Sequence, residues 1–331
     1  MQTNNKTLYS IDDSPERYFL ITYNIFIALS SILGDSLILI ASLRYHAFKL
    51  HKFLVIIIQH LAVNDLILTL FRVVPETAAV AADTWVVGSF LGHVQFLVNG
   101  LCGGLTMSLT CAFSTAKFLI VKYPFRSLTW SYRSVHMACA TLWLAQAILW
   151  LPWQLVNFIY VWDTLFFSYR TYQCSYNYFA DTTPAWFKQY IACYFLTGTV
   201  GLMLVTLVTS CLLLDAARKS AARDGGYPRW EGVWTVLLCV AVFYVTNIPW
   251  NVVYATYFIK IAYSPSTIRR TFFLTNLNIN ANFFLYACTV RSFRAFLSQK
   301  LRLIIGLKSR ETKAQGSPKN KRSTSSKIKH R

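Results

Sequence analysis

The chain has 331 residues, 55% of them hydrophobic and 14% charged, and a formal net charge of +19. So large a basic excess would suit nucleic acid, but the Lys and Arg residues cluster between long apolar stretches and after the last of them, which points to a membrane instead. The eight cysteines contain no C-x-x-C pair and the six histidines are scattered, so no metal site and no metal-dependent enzyme is expected.

Residues 1–18 are polar with no apolar core, so the first apolar stretch is expected to direct insertion without a cleavable signal peptide. Asn5-Lys6-Thr7 is an N-glycosylation acceptor triplet. Seven stretches then follow: 19–43, 54–82, 90–116, 135–162, 190–214, 232–259 and 271–290. Each reaches the length of about 20 residues that a helix needs to cross a bilayer core of ~30 Å. Backbone groups in lipid must pair within their own segment, so all seven read as helices. The first holds one carboxylate, Asp35, and the second holds Asp65, Arg72 and Glu76; the other five hold no Asp, Glu, Lys or Arg.

Of the 32 Lys and Arg residues, 24 fall in the first, third and fifth connections and the C-terminal segment, against seven on the opposite side. The positive-inside rule then places the N-terminus outside and the C-terminus in the cytoplasm, as in a multi-pass protein of the plasma membrane. The segment 291–307 is amphipathic, with Phe293, Phe296 and Leu297 on one face, as in a helix lying on the inner surface. From residue 308 the chain is rich in Lys, Ser and Thr without apolar periodicity. It reads as a disordered basic tail, either drawn to an anionic leaflet or simply solvated. The expected organisation is an extracellular N-terminus (1–18), a transmembrane domain (19–290), a surface helix (291–307) and a tail (308–331). The fold class is all-α, a seven-transmembrane helix bundle with an amphipathic surface helix.

Particular residues recur at set depths in these stretches. The first has Gly34-Asp35, the second Leu61-Ala62-Val63-Asn64-Asp65, and the third runs into Lys122-Tyr123-Pro124. The fourth has Trp143 and Pro152, the sixth Phe243 to Pro249, and the seventh Asn282-Phe283-Phe284-Leu285-Tyr286 followed by Phe293-Arg294. In this order and depth the set resembles the rhodopsin-like (class A) G protein-coupled receptors across all seven spans and the following helix. The departures mark a divergent member. The family's Gly-Asn is Gly34-Asp35, its Asp-Arg-Tyr is Ala116-Lys117-Phe118, its sixth-span Trp is Asn247, and the Pro of its Asn-Pro-x-x-Tyr is Phe283. The cysteine at the outer end of its third span is Gly92, so the usual disulfide to the loop cysteine, here Cys174, is not expected.

The resemblance implies roles. It implies a sodium-binding polar core at Asp65, Thr106, Asn278 and Asn282, with Asp35 beside Asp65 as a second carboxyl. A hydrogen-bonded packing network without a cation is the other reading of these residues. Two carboxyls in low dielectric cannot easily both ionise, so they would share a proton or hold a cation. Arg72 and Glu76, spaced i,i+4, are read either as pocket residues or as a self-neutralising pair. The ligand cavity is expected around them, with Asn99, Asn247 and Trp250. Asn99 stands where amine receptors carry an aspartate, so monoamines are not expected, and Asn276 stands at the retinal-anchoring position, which excludes a Schiff base. Lys117, Phe118 and Tyr286 are expected to serve G-protein coupling.

The function implied is transduction of an extracellular ligand to a heterotrimeric G protein, with arrestin as a further partner through the Ser/Thr tail. The aromatic loop 166–179 and basic Lys260, Arg269 and Arg270 favour a peptide ligand. Two other classes stay open: an atypical receptor that binds ligand without coupling, suggested by Ala116-Lys117-Phe118, and a transporter or channel, suggested by Asp35 and Asp65. Matched broken helices, which inverted-repeat transporters carry, are not seen in the sequence. No cofactor is expected beyond a bound sodium ion.

Overall fold

The computed structural model describes residues 15–43, 52–127, 129–160, 166–168, 171–175, 185–223, 231–258 and 263–304. Asn5, Lys260 and the tail from 308 onward lie outside them. Apart from a single helical turn at Pro124–Ser127, seven long helices and one short amphipathic helix are described. They are α1 (Pro15–Leu43), α2 (Lys52–Ala82), α3 (Gly88–Lys122), α4 (Tyr132–Tyr160), α5 (185–223), α6 (Glu231–Phe258), α7 (Pro265–Thr289) and α8 (Arg291–Ile304). Five of these (α1, α2, α3, α5 and α6) are long and apolar enough to cross a membrane by length and composition alone. The seventh is less apolar because it carries Asn276, Asn278, Asn280 and Asn282. A two-stranded hairpin, β1 (Phe166–Ser168) and β2 (Gln173–Ser175), pairs Phe167 with Cys174 and was not expected from the sequence.

The helix ends follow local chemistry. Ser264 caps α7 by accepting the Thr267 N–H at 3.2 Å, with Pro265 in the first turn where no N–H is needed. Asp83 ends α2 in the left-handed region (φ 51°), returning its N–H to Ala79 and Val80. Pro75 has no N–H for the carbonyl four residues back, and α2 widens into a π turn at Thr69–Val73 just before it. A second π turn, Phe195–Gly201, interrupts α5.

The helices close into a ring in which α1 packs on α2 and α7, and α6 packs on α7. The third helix runs through the middle, against α2, α4, α5, α6 and strand β2. Large apolar side chains remain exposed on the periphery, among them Leu29 and Leu33 of α1, Leu144 and Ile148 of α4, Leu204 and Val208 of α5, and Val245 of α6. That is the surface expected of helices bathed in lipid. The interior holds Leu54, Ile58, Leu105, Leu109, Phe113, Val236 and Tyr286, with Phe293 and Phe296 of α8 completing its C-terminal end.

Lipid gives apolar helices little reason to prefer each other, so close approach at small residues matters. A Cβ at Gly100 would meet the Trp150 ring at 2.4 Å, and one at Gly104 would meet Gln146 Oε1 at 2.4 Å. The Gly100-x-x-x-Gly104 stripe therefore seats α4 on α3. At Gly34 an added Cβ would lie 2.5 Å from Phe283 Cγ. Phe283 thus replaces the family's proline with a ring that fills the notch of α1 and meets Phe293 edge-on at 6.2 Å. Gly34→Ala is expected to destabilise the protein by about 1–3 kcal/mol, the cost of overpacking. Phe283→Ala in the same chain should recover part of that loss. Thermal melting of the purified protein checks both; a Gly34→Ala protein that melts like wild type would mean that the two helices do not approach so closely.

Candidate functional site

Two buried polar layers cross the bundle. The first lies at mid-depth. Asp35 and Asp65 are fully buried, on α1 and α2, and interact electrostatically. Asn282 of α7 donates to Asp65 Oδ2 at 3.0 Å. Ser31 donates to Asp35 Oδ2 at 2.7 Å and lies 2.6 Å from the Thr69 hydroxyl, which itself donates to the Asp65 carbonyl at 2.8 Å. A chain of hydroxyls therefore links the Asp35 carboxylate to the backbone carbonyl of Asp65. Thr69 sits at the start of the π turn of α2, the stretch of that helix whose register is altered.

Asp35 Oδ1 and Asp65 Oδ1 are buried and accept no hydrogen bond. An oxygen-only donor set of this kind fits a hard cation. Two of the four residues expected around Asp65 are not brought there. The Thr106 hydroxyl accepts from Asn64 Nδ2 at 2.8 Å and donates to the Cys102 carbonyl at 3.0 Å, because Asn64, one residue before Asp65, faces α3. Asn278 makes no hydrogen bond to this layer, and Asn282 alone of the α7 asparagines reaches Asp65. Asn280 donates instead to Ser30 of α1.

The second layer lies nearer the N-terminal face. Arg72 is 7% exposed and Glu76 is fully buried. No salt bridge joins them, although each feels the other's charge, and each turns to a different residue of α7. Arg72 Nη2 donates to Thr275 Oγ1 at 2.6 Å, and its guanidinium lies 4.5 Å from the Phe272 ring centre. Glu76 Oε2 accepts from Asn276 Nδ2 at 3.1 Å, and the same amide reaches Asn24 Oδ1 of α1 at 3.4 Å. Arg72 Nε and Glu76 Oε1 are both buried and have no hydrogen-bond partner. A buried polar group left half satisfied is costly, and inside a membrane span it is by default a candidate functional site.

The other expected cavity residues surround this layer unevenly. Asn99 Nδ2 donates to Gln173 Oε1 at 2.8 Å, so the hairpin lies over it. Trp250 meets Phe272 edge-on at 4.9 Å, on the ring that carries Arg72. Asn247 spends its amide on its own helix, at the Phe243 carbonyl (2.9 Å). Arg269 is not available to attract a ligand: it is buried, 3.5 Å from Glu16, and lies over the Tyr172 ring at 5.4 Å. Cys102 and Cys193 are free thiols. The Cys174 side chain lies outside the described residues.

At the C-terminal end, Tyr286 is fully buried beside Cys239. Lys117 is half-buried and forms no ion pair among the described residues, while Phe118 is covered by Lys122 at 5.3 Å from its ring centre. Ser31, Thr69, Asn24 and Thr275 were not anticipated. Their signal, small polar residues one turn from the buried charges or across from them on α7, acquires meaning only once the neighbouring helices are known.

If Asp35 and Asp65 form one site, neutralising both should not add. A double-mutant cycle with Asp35→Asn and Asp65→Asn, read from melting in sodium-free and sodium-rich buffer, is expected to give an interaction energy of about 0.5–3 kcal/mol. Strict additivity would mean that the two acids are independent.

Among curated proteins none matches the chain. The family described as "7 transmembrane receptor (rhodopsin family)" matches residues 34–289, well over half of the sequence and the whole stretch from Gly34 to the end of α7. Members of this family are receptors and not enzymes, and an apolar helical bundle of this kind is that of a multi-pass membrane protein. The protein belongs to the rhodopsin-like (class A) G protein-coupled receptor family.

Proposed function

We propose that this receptor passes a signal from an extracellular ligand to a heterotrimeric G protein, with its N-terminus outside and its basic C-terminal segment in the cytoplasm. The observation that carries the ligand half of this reading is the split pair Arg72 and Glu76, each buried and each holding one unpartnered polar atom. A ligand that reaches α2 and α7 and supplies an acceptor to Arg72 Nε and a donor to Glu76 Oε1 would complete both. A peptide supplies such groups along its backbone, and the aromatic residues around the hairpin offer it contact area. Asn99, Gln173 and Trp250 border the approach.

Binding in this layer biases α7, because Thr275 and Asn276 hold Arg72 and Glu76 while Asn282, lower on the same helix, holds Asp65. A sodium ion between Asp35 and Asp65 would tie α1, α2 and α7 together and favour one state of the bundle. The end of the pathway is Lys117, Phe118 and Tyr286. A Ser/Thr-rich tail suits arrestin binding once phosphorylated.

A second reading, a receptor that binds ligand without coupling, is favoured by Ala116-Lys117-Phe118. Lysine offers a compact point charge where the family carries the planar fork of arginine, and Ala116 removes the neighbouring acid. G-protein dissociation in cells that overexpress the receptor, combined with a ligand-library screen using a promiscuous G protein, separates the two. Basal or ligand-evoked dissociation supports coupling, whereas ligand binding with no dissociation supports the second reading.

On the coupling reading, basal activity with a low maximum is expected. Ala116→Asp should lower the basal level and Lys117→Arg should raise the maximum in a recruitment assay; two mutants that signal like wild type would remove this end of the bundle from the mechanism. For the ligand layer, Glu76→Gln is expected to weaken the response about tenfold or more, the worth of a hydrogen bond to a charged group. Asp65→Asn should instead change the sodium dependence of basal signalling.

A further inference from the structure

A groove of about 500 Å³ opens between α1 and α7 at the N-terminal face, on the outside of the bundle. Phe19, Leu20, Phe273 and Leu274 line it, with Tyr23 between them and Glu16 and Arg270 at its mouth. The walls are apolar by construction. Phe19 stacks on Tyr23 at 6.0 Å with their planes 18° apart, and the Tyr23 hydroxyl is spent on the Phe273 carbonyl at 3.0 Å. Phe19 is 65% exposed, so the groove opens sideways, where the surrounding medium is hydrocarbon.

The mouth is different. The Glu16 carboxylate lies 3.5 Å from Arg269 Nη1 and 3.5 Å from Arg270 Nε. Arg269 is buried and committed to that contact and to Tyr172. Arg270 is 73% exposed and meets Glu16 only through Nε, which leaves its two terminal amino groups without an ion pair or hydrogen bond among the described residues. A planar guanidinium with an open fork recognises phosphate in a bidentate manner. An apolar channel that faces lipid and begins at such a group matches one kind of molecule, an amphiphile with a phosphate above a hydrocarbon chain.

We infer that this groove is a lipid site: one acyl chain of a phosphate-bearing membrane lipid lies between α1 and α7, and its phosphate rests on Arg270. Charge complementarity at the mouth and the apolar walls below it select the occupant together. A free phosphate ion would leave the walls bare, and a neutral lipid would leave the fork unused. The site is separate from the layer of Arg72 and Glu76, although Tyr23 borders the groove and Phe273 neighbours Phe272, which carries Arg72. It does not depend on whether the receptor couples to a G protein.

The test uses the full-length protein in detergent and a lysophosphatidylcholine with a photoreactive diazirine in its acyl chain. A monoacylglycerol with the same labelled chain serves as the phosphate-free probe. The phosphate probe is expected to label peptides from Pro15–Leu43 and Pro265–Thr289. Arg270→Gln should lower its yield about threefold, in keeping with an exposed ion pair, and leave the phosphate-free probe unchanged. Leu274→Trp, which fills the groove, should lower the yield of both; Arg270, being exposed, can be replaced without loss of folding, and melting curves check each variant. Label spread evenly over other helices, or a phosphate-probe yield unaffected by Arg270→Gln, would overturn the proposal. Label confined to residues 1–14 would also overturn it, in favour of the chain's own N-terminal segment as occupant.

Discussion

Asp65 sits in the middle of an apolar bundle, fully buried, where an ionisable group is costly. Its burial is tolerable only because other helices come to it. Asn282 donates to its carboxylate from α7, and the hydroxyls of Thr69 and Ser31 link its backbone carbonyl to Asp35 of α1. Three helices that lipid gives little reason to associate are thereby joined at one point. The other polar contacts of the bundle are arranged around this requirement: a polar group that enters hydrocarbon must find its partner on a neighbouring helix.

The same requirement explains the prominence of α7. Its asparagines lower its hydropathy, and three of them are spent on other helices: Asn276 on Glu76 and Asn24, Asn280 on Ser30, and Asn282 on Asp65. A movement of α7 would disturb all of these at once. The ring of Phe283 in the notch at Gly34 adds a steric tie along the same seam, in place of a proline that would have bent the helix.

The π turn of α2 links backbone to chemistry. The turn at Thr69–Val73 carries both Thr69, which meets Ser31, and Arg72, which donates to Thr275 of α7 while Glu76 accepts from Asn276 of the same helix.

Segment length, charge asymmetry and the ordered residues at fixed depths were sufficient, from the sequence alone, for seven helices, a surface helix and the family. Lipid imposes helical backbone on any apolar run of that length, so these conclusions need no tertiary contact. Asp35, Asp65, Arg72 and Glu76 were legible for the same reason, since charge inside such a run is conspicuous. Their partners were not. Thr106 was expected at Asp65 and meets Asn64; Asn278 was expected there and does not arrive; Arg72 and Glu76, read either as pocket residues or as a pair, turn to Thr275 and Asn276. Spacing along a regular helix cannot foresee a π turn, nor which of four asparagines on α7 faces a given acid. The rotation of each helix about its axis is set by packing, at Gly34 against Phe283 and at Gly100 against Trp150, and only the assembled bundle decides it.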